Sequence, residues 1–311
     1  MKIDPTDAAL EKLLAASPET PEGRKLFVAA LGAKSHRLVA KAAKLADQNR
    51  ATSLCPQLAE TLDRLLTRAD GADKGCAAMQ ALAQAIVSLD HDDAALYLRG
   101  MKYIQMEGSW GPPVDTAVEL RAVCAMGLSN SFYADKLRPL LDLLVDREWV
   151  ARAGAVRALA AIGSDAALLL LHYKARIGDE NTEVLSQCLE ALLAAQRESL
   201  PLVISIASGA DEESREAAIL ALGASRRADA IDWLIAKTKS VVHQRERPCL
   251  LLALSSSRTE AALDYLLGLV TTASSAAFAQ VNEALSIHRR DPQLQARIEA
   301  AIRERNSKSA L

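Results

Sequence analysis

The sequence predicts an all-α protein, a right-handed α-solenoid of about eight helical hairpins. The first observation behind this is compositional: half of the 311 residues are hydrophobic but only 4% are aromatic. A palette rich in Leu and Ala favours helices packed closely on helices over sheets. The second is an internal period. The segments "LRAVCAMGLSN", "GAVRALAAIGS", "SQCLEALLAAQ", "EAAILALGASR", "PCLLLALSSSR" and "AQVNEALSIHR" share an Ala followed by Leu or Met, and the landmarks Met126, Leu159, Leu192, Leu222, Leu254 and Leu285 are 33, 33, 30, 32 and 31 residues apart. Such a period marks stacked supersecondary units. The third is a further amphipathic run between each pair of landmarks: "YADKLRPLLDLLV", "DAALLLLHYKARIG", "SLPLVISIASG", "ADAIDWLIAKTKS" and "EAALDYLLGLVTT", all with apolar residues at helical spacing. Two short helices cannot bury their apolar faces alone, whereas a stack of hairpins shares one continuous core.

The elements follow in order. A helix near Thr6 to Ala16 caps the start. "EGRKLFVAALG", "CPQLAETLDRLLTR" and "DAALYLRGMKYIQM" read as first helices, with "SHRLVAKAAKLAD" and "DKGCAAMQALAQAIVSL" as second helices. A closing helix is expected from Pro292 to Arg305, with "NSKSAL" as a loose tail. The expected organisation is one array over 1–311, with a less regular cap and first hairpin over 1–50, an inserted loop over 106–115 and the C-terminal cap over 292–311.

The insert, "MEGSWGPPVD", falls between the helices of the third hairpin and stretches the step from Leu82 to Met126 to 44 residues. Pro112 and Pro113 stiffen it, Gly108 and Gly111 permit tight geometry around Trp110, and Thr116 with Glu119 predicts a capping box that restarts the helix. Solenoids differentiate at such edges. A stiff loop presenting a Trp has the build of an interaction hot spot, with Trp110, Pro112, Pro113 and Glu107 as partner-binding candidates. The competing expectation is that Trp110 folds back to plug a gap between repeats.

"DREWVARAGAVRALAAIG" and "DEESREAAILALG" resemble the second helix of a HEAT repeat, in the short bacterial form found also in phycobilin lyase subunits: an acidic turn, an Arg, then Ala-Leu-Gly or its near equivalent. The resemblance covers Asp146 to Gly163 and Asp211 to Gly223 well. Leu185 and Phe278 stand in place of the Arg in other repeats. A HEAT motif implies a scaffold shape, not a chemistry.

Arg152, Arg215 and Arg247 each lie seven residues before a Leu landmark. The expected role is a structural ladder, each Arg pairing with an acidic turn residue such as Asp146 or Asp211, although a column of three could also grip a carboxylate or phosphate. Second helices of a solenoid line its concave side. The register two residues before each landmark, Cys124, Arg157, Glu190, Leu220, Leu252 and Glu283, samples that surface; it is mixed and partly apolar, which suits a protein or peptide better than nucleic acid. Arg157, Leu220 and Leu252 are its partner-binding candidates.

The net charge of −2 gives no general attraction to polyanions. Residues 1–50 are locally basic at +3, with Lys34, Arg37, Lys41 and Lys44 placed to share a helix face, and Arg297, Arg303 and Arg305 cluster near the end; residues 51–150 sum to −5. The five cysteines, Cys55, Cys76, Cys124, Cys188 and Cys249, are too dispersed for a metal or disulfide framework and suit a reducing, cytoplasmic setting. His36, His91, His172, His243 and His288 form no HxxxH, HExxH or His-Glu pair of the kind that deoxyhypusine hydroxylases use for iron, and GxSxG, Walker and GxGxxG signatures are absent. No signal-peptide pattern or membrane span is read.

The expectation is therefore a non-catalytic adaptor or scaffold, without metal or cofactor, that binds a protein partner. Alternatives are a HEAT-like lyase or chaperone accessory handling a small ligand or client, and a nucleic-acid binder. The oligomeric state is not readable. Circular dichroism should show a predominantly helical spectrum, and solution scattering a particle longer than a sphere of 33.3 kDa; a substantial β signal would end the solenoid reading.

Overall fold

The structure, a computed structural model, describes residues 5–68, 72–108, 110–195, 197–240 and 245–309. The chain forms two compact units, Met1–Leu170 and Leu171–Leu311. In the first, α1 (Pro5–Ala15) precedes the hairpins α2 (Pro21–Leu31) with α3 (His36–Gln48), α4 (Cys55–Arg68) with α5 (Ala77–Ser88), α6 (Ala94–Gly100) with α7 (Val118–Asn130), and α8 (Leu137–Leu143) with α9 (Trp149–Ile162); α10 (Asp165–Ile177) spans the boundary. The second unit continues with α11 (Thr182–Ala195), α12 (Leu200–Ala207), α13 (Glu212–Ala224), α14 (Ala228–Ser240), α15 (Arg247–Ser257), α16 (Glu260–Thr272), α17 (Ser275–Leu285) and α18 (Pro292–Ser309). Second helices form an inner row, α3 on α5 on α7 on α9 in one unit and α11 on α13 on α15 on α17 in the other, with the first helices outside them. This is an all-α fold of helical hairpins, four stacked in the first unit and, among the described residues, three stacked after α11 in the second.

Inner helices are buried nearly all round because each lies between two row neighbours and its own outer helix. In α5 the buried set is Ala78, Met79, Ala81, Leu82, Ala83, Ala85, Ile86 and Val87, too wide for a single amphipathic stripe. Small residues bring the row together. A Cβ added to Gly154 on α9 would lie 2.5 Å from Cα and Cβ of Ala122 on α7, and one added to Gly223 on α13 would lie 2.4 Å from the Ala253 carbonyl oxygen on α15. Neither position accommodates a larger residue without separating two helices.

Several details depart from the sequence expectation. Helix α6 ends at Gly100 rather than running to Met106, because the chain turns toward the insert. Helix α18 continues to Ser309, so residues 306–309 are not a loose tail; the last two residues lie outside the described set. Met126 is only half-buried while Leu128 is fully buried. Leu128 is thus the true landmark of α7, and the step to Leu159 becomes 31 residues. The same shift explains Cys124, expected on the exposed register but fully buried, where its sulfur would sit 2.3 Å from a Cβ placed on Gly100.

The shift also reveals a fourth column arginine. Arg121 lies seven residues before Leu128, and aligning α7 on Met126 hides it. The ladder differs from the one expected, since Arg121, Arg152 and Arg215 secure carbonyls at the turn inside their own hairpins. Arg152 Nη1 donates to the carbonyls of Asp146 (2.9 Å) and Arg147 (3.0 Å), and Arg215 Nη1 to those of Gly209 (3.0 Å) and Ala210 (3.3 Å). The acidic partners come from the following repeat: Arg121 Nε lies 3.1 Å from Asp146 Oδ2, and Arg215 Nε lies 3.3 Å from Glu246 Oε1. The carboxylate of Asp146 therefore serves Arg121, while its carbonyl serves Arg152. Asp211 is not a rung: its carboxylate accepts the Ser214 N–H at 2.8 Å and caps α13, and hydrogen bonding from Ser214, first its side chain and then its N–H, holds the Asp211 pKa below the usual carboxylate range. Arg247 forms no matching rung, and its buried Nε has no hydrogen-bond partner.

The C-terminal basic residues are also engaged internally. Arg297 pairs with Glu260 (2.9 Å) and Asp264 (2.8 Å), Arg305 donates to the Ala273 carbonyl at 2.6 Å and lies 4.7 Å from the centre of the Phe278 ring, and Arg303 lies 3.9 Å from Glu299.

Arg152→Ala and Arg215→Ala should each lower stability by about 1–3 kcal/mol through unmet turn carbonyls. Arg121→Ala should cost about 3–5 kcal/mol because it strands a buried carboxylate. Urea denaturation of the three variants checks the order, and an Arg121 variant no weaker than the others would refute it.

Candidate functional site

The insert is a β-hairpin rather than an irregular loop. Strands β1 (Met106–Glu107) and β2 (Val114–Asp115) pair antiparallel, Met106 opposite Asp115 and Glu107 opposite Val114. At the tip the relative exposure of Trp110 is 110%. Trp110 therefore fills no gap between repeats, and the plug expectation falls. Pro112 and Pro113 are exposed beside it, while Ser109 lies outside the described residues.

The base of the hairpin is tied down by polar contacts. The buried side chain of Gln105 donates through Nε2 to the Asp73 carbonyl (2.8 Å) and to Glu107 Oε1 (2.6 Å), and its Oε1 accepts the Tyr103 hydroxyl at 3.0 Å. Glu107 Oε1 also accepts the Gly75 N–H (2.7 Å) and the Thr116 hydroxyl (3.0 Å), which fastens the hairpin to the turn before α5. Glu107 is thus an anchor of the fold, not a free contact for a partner. Its pKa lies below the ordinary value, first because of the Gln105 amide and then the Gly75 N–H, with Thr116 adding to both.

The expected Thr116–Glu119 capping box does not form, because the Thr116 hydroxyl faces Glu107 and the Gln105 carbonyl instead. Asp115 replaces it. Its Oδ1 accepts the N–H groups of Ala117 (3.0 Å) and Gln105 (3.2 Å), and its Oδ2 takes Arg121 Nη1 at 2.6 Å. The Asp115 and Arg121 side chains are 7% and 3% exposed, so this is a buried charge pair with most of its hydrogen bonds supplied. Arg121 also reaches the Tyr103 carbonyl (3.1 Å) and Asp146. One guanidinium thereby joins the hairpin base to the turn between α8 and α9. Exposed apolar side chains rise on both connections, Ile104, Met106 and Val114 on the first and Val145 on the second, with Trp149 at the start of α9.

The other sequence candidates lie elsewhere. Arg157 is exposed on α9 in the first unit; Leu220 on α13 and Leu252 on α15 are partly exposed on neighbouring inner helices of the second. Nothing chemically reactive accompanies them. Burial pushes the thiol of Cys76 up to about 11 and those of Cys124, Cys188 and Cys249 to about 12, so all four are neutral thiols near pH 7. Cys76 starts α5 in a left-handed conformation (φ 51°) rather than lying within it. No group of three or more His, Cys, Asp or Glu among the described residues could hold a metal ion. His172 and His288 contact Ser199 and Ser255 at 3.1 and 3.0 Å, and His243 lies outside the described residues. No helix among the described residues is long and apolar enough to cross a membrane.

Fold and site together define an all-α protein of helical hairpins that carries a tryptophan-tipped β-hairpin within its third hairpin. No family model and no curated protein matches the chain. Similar solved structures include a chain of the CpcE–CpcF complex of phycocyanin lyase from Nostoc sp. PCC7120, at 15% identity over 92% of this chain and 94% of that one, with a TM-score of 0.34. An engineered protein aligns at 14% identity over 90% and 94%, also with a TM-score of 0.34. Human deoxyhypusine hydroxylase in complex with glycerol aligns at 14% identity over 92% and 96%, with a TM-score of 0.23.

Because the folded pKa of Glu107 is depressed, its contribution to stability is complete above the ordinary glutamate value of 4.5 and is lost as the pH falls through the lowered value. Glu107→Gln should flatten the acid limb of the stability curve below pH 4.5. Superimposable wild-type and variant curves would remove Glu107 from the anchor.

Proposed function

We propose that this protein is a non-catalytic adaptor of the cytoplasm that binds a protein partner through the hairpin edge, with Trp110 as the anchor. The observation that carries this reading is the contrast within ten residues: a fully exposed Trp at the tip, and a base held by a buried ion pair and a shared carboxylate. An exposed indole is an unfavourable surface for a free monomer to display, whereas one held on a pre-ordered support loses little entropy when a partner covers it. The apolar side chains on the two adjoining connections extend the same edge, and the prolines at the tip limit its rearrangement on binding. The exposed positions Arg157, Leu220 and Leu252 offer secondary contact surface of mixed character.

The experiment is affinity capture from the native cell with wild type and Trp110→Ala, followed by titration of the captured partner. Trp110→Ala should leave the melting temperature unchanged, since the side chain supports no core. It should weaken binding by about 2 kcal/mol or more, as loss of a buried Trp anchor does. A variant that binds like wild type, or that melts early and binds normally once folded, refutes the reading.

A further inference from the structure

In the first unit, a cavity of about 360 Å³ opens directly beside the hairpin base, with Tyr103 and Gln105 in its wall. Its remaining polar lining is basic: Lys34 just past the end of α2, His36 at the start of α3, and Arg64 and Arg68 on the last turns of α4. The single acidic side chain among its described lining residues, Asp73, is committed elsewhere. Its two carboxylate oxygens accept the N–H groups of Ala78 (3.0 Å) and Met79 (2.9 Å) at the start of α5. Arg64 is held in place by one bond, from Nη2 to the Leu31 carbonyl at 2.8 Å, while its buried Nε has no partner. His36 is oriented by the contact of Nδ1 with the Ala72 carbonyl at 2.9 Å. Helix C-termini account for some of this positive charge, since Arg64 satisfies the end of α2. They do not account for an Arg64 Nε without a hydrogen-bond partner in a cavity that Lys34 and Arg68 also line. A wider groove of about 1250 Å³ continues past His36 and Asp73, adding Lys41, Lys44 and Lys74 against the acids Asp7, which pairs with Arg37, and Glu11, over the apolar Leu10 and Leu14.

We infer that this cavity receives carboxylate side chains from an acidic peptide segment of the partner, next to the Trp110 contact. The inference rests on the adaptor reading and specifies its partner. Charge complementarity argues for a peptide over a nucleic acid. The basic lining is confined to one small cavity and its groove, whereas residues 51–150, which supply most of the cavity's lining residues, sum to −5. A long phosphate backbone leaving the pocket over residues 51–150 would meet repulsion, but a short acidic segment ends within it.

The test uses the full chain and a fluorescein-labelled oligoglutamate peptide, followed by anisotropy at low and high salt. Inorganic phosphate and an oligothymidylate of equal charge serve as competitors. Wild type should bind the peptide in a salt-sensitive manner, and the exposed pair Lys34→Gln with Arg68→Gln should keep the wild-type helical spectrum while weakening binding by about tenfold or more. Trp110→Ala should bind oligoglutamate as wild type does, so loss of the native partner by that variant tests the hairpin and loss of the peptide by the double variant tests the cavity. Absence of peptide binding to wild type, equal binding by the double variant, or stronger competition from oligothymidylate than from unlabelled oligoglutamate would each overturn the inference.

Discussion

The inner helices approach until backbone meets backbone, and most of this architecture depends on that closeness. Gly154 faces the Ala122 main chain, and Gly223 faces the carbonyl of Ala253, so within each unit the row has almost no room for side chains along the seam. Dispersion between closely spaced main chains replaces the large aromatic contacts that the composition lacks. A helix held this tightly on two sides must be apolar nearly all round, which is why α5 shows so little amphipathic character. Variation is then confined to the connections, where chain can be added without prying two helices apart.

At those connections the chain uses charge where the interior uses alanine. Arg121 and Asp115 are almost wholly withdrawn from solvent, an arrangement whose desolvation cost rivals its Coulombic gain. What it supplies is geometry. The guanidinium has directional donors that meet Asp115, the Tyr103 carbonyl and Asp146 at once, so a hairpin of only two residues per strand, marginal in isolation, acquires one orientation relative to the helix that follows it. Arg215 performs a simpler version at its own turn, joining two carbonyls to Glu246.

The helical repeat was legible in the sequence because its signal is additive. Leu159, Leu192, Leu222 and Leu254 recur at nearly even steps, and all four are fully buried. The third hairpin was harder to read because the insert removes the step that would have set the register, and two candidates, Met126 and Leu128, compete within a single turn. Choosing Met126 hid Arg121 and placed Cys124 on the wrong face. The Arg121–Asp115 spacing of six residues was available as a signal, since an Arg seven residues before a buried Leu repeats the pattern of Arg152 and Arg215. The strand pairing was not readable, because two-residue strands carry no periodicity. The network around Glu107 was equally hidden: Gly75, Gln105 and Thr116 are brought to one carboxylate by tertiary contacts with no local sequence mark.

The hairpin also divides ten residues into two regimes of permissible change. Trp110 and Pro113 are exposed and take no part in the helix packing, so altered side chains there leave the repeats undisturbed. Asp115 and Glu107, a few ångströms below, are each shared among several groups and tolerate almost nothing. Descendants of such a chain can therefore acquire new binding preferences by rewriting the tip while inheriting the mount unchanged. An engineer can do the same by exchanging the tip as a cassette.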